Sequence, residues 1–348
     1  MQYRQSNQSD LLTIMSYQES LKSNCKGINK LNRVIKWESF RDKLEQLLGY
    51  KDRESNRGRP PFDPVLMFKI LILQKYYDLS DQATEDQIRD RLSFMNFLNL
   101  KIGDAIPDAN TIWDFRNALE KDGLNGTQVL FEHFERLLQA NKLIGREGSI
   151  VDATFVDAPV QHNTREQNEQ IKQGEVPDGF TSDNAKGRQK DCEARWALKN
   201  KESHYGFKNH AKADAKNKLV ISYATTAANV HDSQMFKQLV DKEDNALLAD
   251  AAYSSEENEA YLLHECDCNE FMQIKAKPKV GLTAEQKCLN KARSRIRVRI
   301  EHIFGRMSQM GMHRLRTIGL VRAHQHNGLC NLLYNMDRYA FLCPNTAI

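Results

Sequence analysis

The sequence has no apolar run long enough to cross a bilayer. Its most conspicuous one, Met67–Leu73, has Lys69 inside it and falls far short of the ~20 residues a membrane helix needs. The opening MQYRQSNQSD is polar rather than a Lys/Arg-led apolar leader, so no targeting segment is expected there. Seven cysteines (25, 192, 266, 268, 288, 330 and 343) are scattered and odd in number, which argues against a disulfide framework and for a reducing, cytoplasmic compartment. An excess of one charge is also lacking: 50 Lys+Arg face 46 Asp+Glu. The net charge therefore does not identify a polyanion partner, and only local clustering can. No Gly-x4-Gly-Lys-Ser/Thr loop and no Gly-x-Ser-x-Gly elbow occurs, which leaves ATP-driven and serine-hydrolase chemistry unsupported. No internal repeat is apparent.

What is present is 348 residues, more than one small core accommodates, so two domains are expected. Residues 1–32 read as a polar leader and 33–145 as a helical domain. Val34–Leu48 reads as one helix ended by Gly49. After the basic connector Arg57–Pro61, Asp63 caps a helix with Pro64 at its first position and apolar residues nearly all round through Tyr77. Further helices are expected over Ser80–Leu92, from Pro107-Asp108 through Phe115, and over Thr127–Leu143. Short helices with flanking Arg and Lys fit a DNA reader of the helix-turn-helix kind, and equally a plain bundle or a dimerisation domain.

From 146 to 343 the pattern changes to mixed α/β. Ser149–Asp157 is β-branched and short enough for a buried strand. Residues 161–203 hold few large apolar side chains and read as an insertion or mobile lid without a core of its own. His204–Ala213 and Lys218–Thr226 form a hairpin, and Asn245–Asp250 is another buried strand. Asp232 or Ser233 caps a helix through Val240, and Ser254 with Glu257 forms a capping box. A strand over Phe271–Ile274 precedes a basic helix, and Leu320–Leu342 is a last helix.

The basic helix, Lys287–Arg306, carries a single acid, Glu301, beside an Ile296/Ile300/Ile303 stripe. Such an acid commonly does no more than relieve repulsion. Two other carboxylates change its meaning: Asp152 in Ile-Val-Asp-Ala-Thr and Asp250 after Ala-Leu-Leu-Ala. Acids beside branched aliphatics need a partner or a metal, because an unpaired buried charge is costly. Three convergent carboxylates suit Mg2+, with Mn2+ able to substitute. Two such ions about 4 Å apart would serve a phosphodiester displacement. Asp157 competes with Asp152 for the first position. His264, Cys266 and Cys268 lack zinc spacing. Trp196 either stacks on an extruded base or anchors the insertion.

The stretches VDATFVDAP, HYGFKNHAKAD, ANVHDS, ADAAYSS and RIEHIFGRM, with GRPPFDPVLMFKILILQ earlier, resemble bacterial insertion-sequence transposases. The match is nearest to the fifth numbered insertion-sequence family and spans roughly residues 35–340. The resemblance implies a ribonuclease-H-like mixed sheet flanked by helices, preceded by an all-α domain for DNA binding and assembly. It implies that Asp152, Asp250 and Glu301 form a DDE triad holding two Mg2+ ions. The implied partners are double-stranded DNA, as transposon ends and target, and further copies of the chain in a nucleoid-associated synaptic complex. Arg293, Arg295, Arg297, Arg299, Arg306 and Lys208 are candidate DNA contacts, and His231 and Asp232 candidate groups bordering the site. The related pattern Tyr-x2-Arg-x3-Glu-x6-Lys keeps Arg297 and Glu301, but Ser294 and Ser308 stand in its outer positions. A nuclease of the same fold without joining activity, and a non-catalytic repressor derived from a transposase, are the alternatives.

Overall fold

The computed structural model describes residues 16, 19–20, 27–51, 60–145, 148–159, 161–180, 185, 187–199, 201–242, 244–253, 255–266, 268–270, 272–274 and 281–348. The chain forms two compact units, Met1–Leu124 with Tyr339–Ile348, and Asn125–Arg338.

In the first unit the expected helix over Val34–Leu48 is three pieces: α1 (Asn29–Val34), a 3-10 turn (Trp37–Phe40) and α2 (Arg41–Leu47). The break is at Ile35, whose backbone is extended. The bend brings Trp37 edge-on to Phe68 and Phe97, at 6.0 and 5.7 Å, while Leu31, Phe40 and Leu44 are fully buried. Around them lies α3 (Pro64–Tyr76). Asp63 caps it, accepting from the Val65 and Leu66 N–H groups at 2.9 Å, and it is buried nearly all round. The expected Ser80–Leu92 helix stops two residues early. It is α4 (Asp81–Asp90), capped by Ser80, and extended backbone at Arg91 separates it from α5 (Leu92–Leu98). Asp108 caps α6 (Ala109–Ala118). Ile348 closes the unit, exchanging backbone bonds with Val34 and Lys36.

The second unit begins with α7 (Gly126–Ala140) and is built on the mixed sheet that the sequence pattern implied. Its centre is β1 (Ser149–Asp157), whose first five residues are all buried. The path is β2 (Arg195–Lys199), β3 (Glu202–Asp214), β1, β5 (Ala246–Ala249), β6 (Asn269–Glu270), with β4 (Val220–Ala227) also on β3. β1 runs antiparallel to β3 and parallel to β5, and β5 parallel to β6. Gly206 is obligatory where β3 passes β1: its φ is +155°, and a Cβ there would lie 2.2 Å from the Val156 carbonyl oxygen.

One face of the sheet carries an apolar cluster. Phe236 and Leu239 of α9 (Phe236–Leu239) pack with Val151, Leu247, Ala249 and Tyr253. Cys266 and Cys268 belong to that core, while His264 is exposed, so the three share no metal site. The capping box expected of Ser254 and Glu257 is replaced by a simple cap one residue later. Ser255 caps α10 (Glu256–Tyr261), accepting from the Asn258 N–H, and Ser254 lies outside the described residues. The edge strand is β6 rather than 271–274, and Phe271 is likewise outside the described residues.

The other face carries α11 (Ala284–Gln309), opened by a Thr283/Gln286 capping box, and α12 (Leu320–Leu342). α11 seats on Ile300, Ile303 and Met307, all at 0% exposure, whereas Ile296, expected in the same stripe, is 39% exposed. α12 meets the sheet through a ladder of buried asparagines. Asn327 donates to Thr225, Asn331 exchanges bonds with Asn209, and Asn335 bonds both the N–H and the carbonyl of Val220.

The polar insertion is tied in rather than loose. It holds α8 (Arg165–Lys172) and β2. Asp191 accepts from Glu193, Ala194 and Gly319 N–H groups, and Glu193 accepts from the Leu320 N–H at the start of α12. Hydrogen bonds do there much of what an apolar core does elsewhere. The Trp196 indole donates to the Asn163 carbonyl at 2.9 Å and packs on Tyr205 at 5.0 Å, which is an anchor.

Candidate metal-binding active site

The last paired residues of the parallel strands β1 and β5 are Val151 and Ala249. One step further along the chain on each side stand Asp152 and Asp250. Paired strands lie about 4.8 Å apart, so this register sets the two aspartates side by side where the parallel pair ends. Branched residues before them (Ile150, Val151; Leu247, Leu248) bury the strands, and the carboxylates come at the point where pairing stops.

Asp152 is buried and tightly engaged. Its Oδ1 accepts from the Ala153 N–H at 2.8 Å, and its Oδ2 accepts from Arg297 Nη1 at 2.7 Å. Burial pushes its carboxyl above the usual range. The Ala153 N–H, Arg297 and Lys199 oppose that shift, and the Asp250 charge adds to it. Asp157 does not share the site. Five residues along β1, it is on the opposite face by the two-residue period, and His204 Nδ1 lies 3.5 Å from its carboxylate.

Glu301, on α11, is linked to Asp152 through one arginine. Arg297, one turn earlier on the helix, extends Nη2 to within 3.6 Å of Glu301 Oε1 while its Nη1 holds Asp152. The helix is fastened on both sides of this point: Arg299 donates to the Ala215 carbonyl at 2.5 Å, and Gln273 Nε2 to Ser294 Oγ at 2.7 Å. Ser294, in the outer position where the related pattern has tyrosine, thus helps to fasten the segment after β6. Arg293 donates to the Met272 carbonyl. Arg306 pairs with Asp337 at 3.1 Å and donates to Gln309 at 2.8 Å, so its charge is committed to α12. Arg295 is exposed.

By the β1–β3 register Lys208 lies on the face of the sheet opposite Asp152, and Asp232 meets it there. Lys208 Nζ donates to Asp232 Oδ1 and to the Val230 carbonyl, both at 2.8 Å. The cap expected of Asp232 is displaced by one residue: His231 occupies the N-cap, its Nδ1 3.4 Å from the Ser233 N–H. Asp232 instead binds the strand lysine and stands 3.8 Å from His210 Nδ1. Burial drives the His210 imidazole down to about 4, against the pull of Asp232.

One residue near the acids escaped the sequence reading. Tyr253 is fully buried, its hydroxyl has no hydrogen-bond partner among the described residues, and burial followed by the Asp232, Asp152 and Asp250 charges pushes its phenol well up. An aromatic three residues after a strand-end aspartate was its only signal.

All donors are carboxylate oxygens, the hard ligands that Mg2+ or Mn2+ takes, and Asp152 and Asp250 fit such an ion. Among the described residues no three His, Cys, Asp or Glu side chains are gathered closely enough to hold one, and Arg297 stands between Asp152 and Glu301.

Residues 144–336 match the model described as transposase DDE domain, and residues 16–118 the one described as transposase domain (DUF772). The chain belongs to the DDE transposase family. Among solved structures it is similar to a piggyBac transposase synaptic complex with hairpin DNA, at 12% identity and a TM-score of 0.47, over 93% of this chain and 74% of that one. No helix among the described residues is long and apolar enough to cross a membrane.

Proposed function

We propose that this chain cuts the ends of a mobile DNA element and joins them to target DNA, with Asp152, Asp250 and Glu301 as ligands of two divalent ions. The observation that carries this reading is the register of β1 and β5, which sets Asp152 beside Asp250 next to the helix bearing Glu301. When bound, such ions supply nucleophile activation and leaving-oxygen stabilisation. The chain's own residues do the rest. The Ala153 N–H orients Asp152. Ile300, Ile303 and Met307 fix the turn of α11 that presents Glu301. The exposed cations of α11 attract the DNA backbone. The helical unit would recognise terminal repeats and assemble copies of the chain into a synapse.

The test is a strand-transfer assay on pre-cut duplex ends with Mg2+ or Mn2+. Joined product is expected from the wild type, with at least a hundredfold loss in each of Asp152→Ala, Asp250→Ala and Glu301→Ala. Hydrolysis with no joining would make the chain a nuclease of the same fold. Specific end binding with neither reaction would make it a repressor.

A further inference from the structure

Resting on that assignment of the three carboxylates, we propose that Arg297 competes with the metal. Its guanidinium holds the oxygens that a divalent ion requires and must leave them before the ion loads. Arg297 donates to Asp152 Oδ2 at 2.7 Å and reaches Glu301 Oε1 at 3.6 Å. One side chain thus lies across two of the three proposed ligands, which come from a strand and a helix 149 residues apart at positions 152 and 301.

Losing its proton cannot release it, because a guanidinium stays charged at any working pH. A dication at the same oxygens would lie within a few ångströms of that charge, where repulsion is several times RT even at a protein-like effective dielectric. The head group must therefore swing away.

Its present seat is only partly satisfied. The Glu301 contact is longer than a hydrogen bond, and Arg297 Nε is buried with no hydrogen-bond partner among the described residues. Only the Asp152 bond is good. Once displaced, the planar fork suits two oxygens of one phosphate. A DNA phosphate that captures it would favour ion loading, and by reciprocity the ion would favour DNA. The ion and the substrate would then bind together rather than one by one.

The experiment is Mn2+ titration of the full chain, with free ion read by electron paramagnetic resonance. Without DNA, Arg297→Gln is expected to bind Mn2+ at least tenfold more tightly than wild type. Arg297→Lys, charged but without the fork, should fall between them. A short mixed-sequence duplex should tighten Mn2+ binding by the wild type and do so less in Arg297→Gln. Equal or weaker Mn2+ binding by Arg297→Gln overturns the proposal, as does an equal effect of the duplex on both proteins. Thermal melting reports whether each variant folds; should Arg297→Gln lose its cooperative transition, Arg297→Lys decides, and wild-type affinity there overturns the proposal. Asp152→Asn separates the two levels of the argument. If it binds Mn2+ as the wild type does, the carboxylate assignment itself fails, whatever Arg297 does.

Discussion

At the scale of single residues, the buried polar groups decide what pH does. His210 is neutral in the folded chain, its pKa lowered to about 4 by burial, whereas in the unfolded chain it takes a proton near 6.5. Between those values the unfolded state binds more protons, so stability is full above pH 6.5 and falls as pH drops toward 4. His210→Gln should flatten that slope, as read from urea midpoints across the window. Lys69 in the helical unit is the same case in a higher pH window. It is buried under the Phe97 and Trp37 rings, at 4.9 and 5.4 Å, with its pKa lowered to about 8. Holding it charged below pH 8 costs stability, which is recovered as pH rises from 8 toward its unfolded value near 10.5. Lys69→Met should therefore raise the urea midpoint at pH 7 and lose that advantage at pH 10. Neither environment was visible beforehand. Lys69 appeared only as a charge interrupting an apolar run, and which rings would cover it depends on residues some thirty positions away on either side. The catalytic candidates were more legible, because an aspartate among branched strand residues is conspicuous in sequence, whereas a tyrosine such as Tyr253 is not.

At the scale of elements, local patterns gave helix starts well wherever a side-chain cap forms. Asp63, Ser80 and Asp108 all cap as their spacing suggests. Ends and interruptions were less legible. The extended backbone at Ile35 and Arg91 follows from packing rather than from a Pro or Gly signal. The asparagine ladder on α12 was missed for the same reason: Asn327, Asn331 and Asn335 read as an ordinary polar face until Asn209, Thr225 and Val220 are placed opposite. Asn331→Leu strands Asn209 in the core, and a loss of about 1–3 kcal/mol is expected from chemical denaturation. Between the first two asparagines, Gly328 lets the helix approach. A Cβ there would lie 2.6 Å from the Tyr223 hydroxyl and 2.8 Å from Thr127 Oγ1. Gly328→Ala should cost about 1–3 kcal/mol through overpacking, although alanine is the better helix former.

At the scale of the whole molecule, a net charge of +4 hides a concentrated one. Lys287, Lys291 and Arg295 are four residues apart along α11, so they share a face, and all three are exposed. Arg293, Arg299 and Arg306 have carbonyl or carboxylate partners, and Lys208 is spent on Asp232. The sequence grouped these cations together; only the fold divides those that fasten the helix from those that face solvent. If α11 lies along DNA in the proposed reaction, each exposed cation displaces roughly one condensed counterion, contributing about 0.9 to the slope of log affinity against log salt. Substituting Lys287, Lys291 and Arg295 with Gln together should reduce that slope by about 2–3 and weaken binding at low salt, with little dependence on DNA sequence. Fluorescence anisotropy with a labelled duplex over a salt series measures it. Mn2+ affinity without DNA should stay at the wild-type value, since none of the three makes a hydrogen bond or ion pair with the three carboxylates among the described residues. An unchanged salt slope would mean that DNA is bound by another surface and that this face of α11 is only solvated.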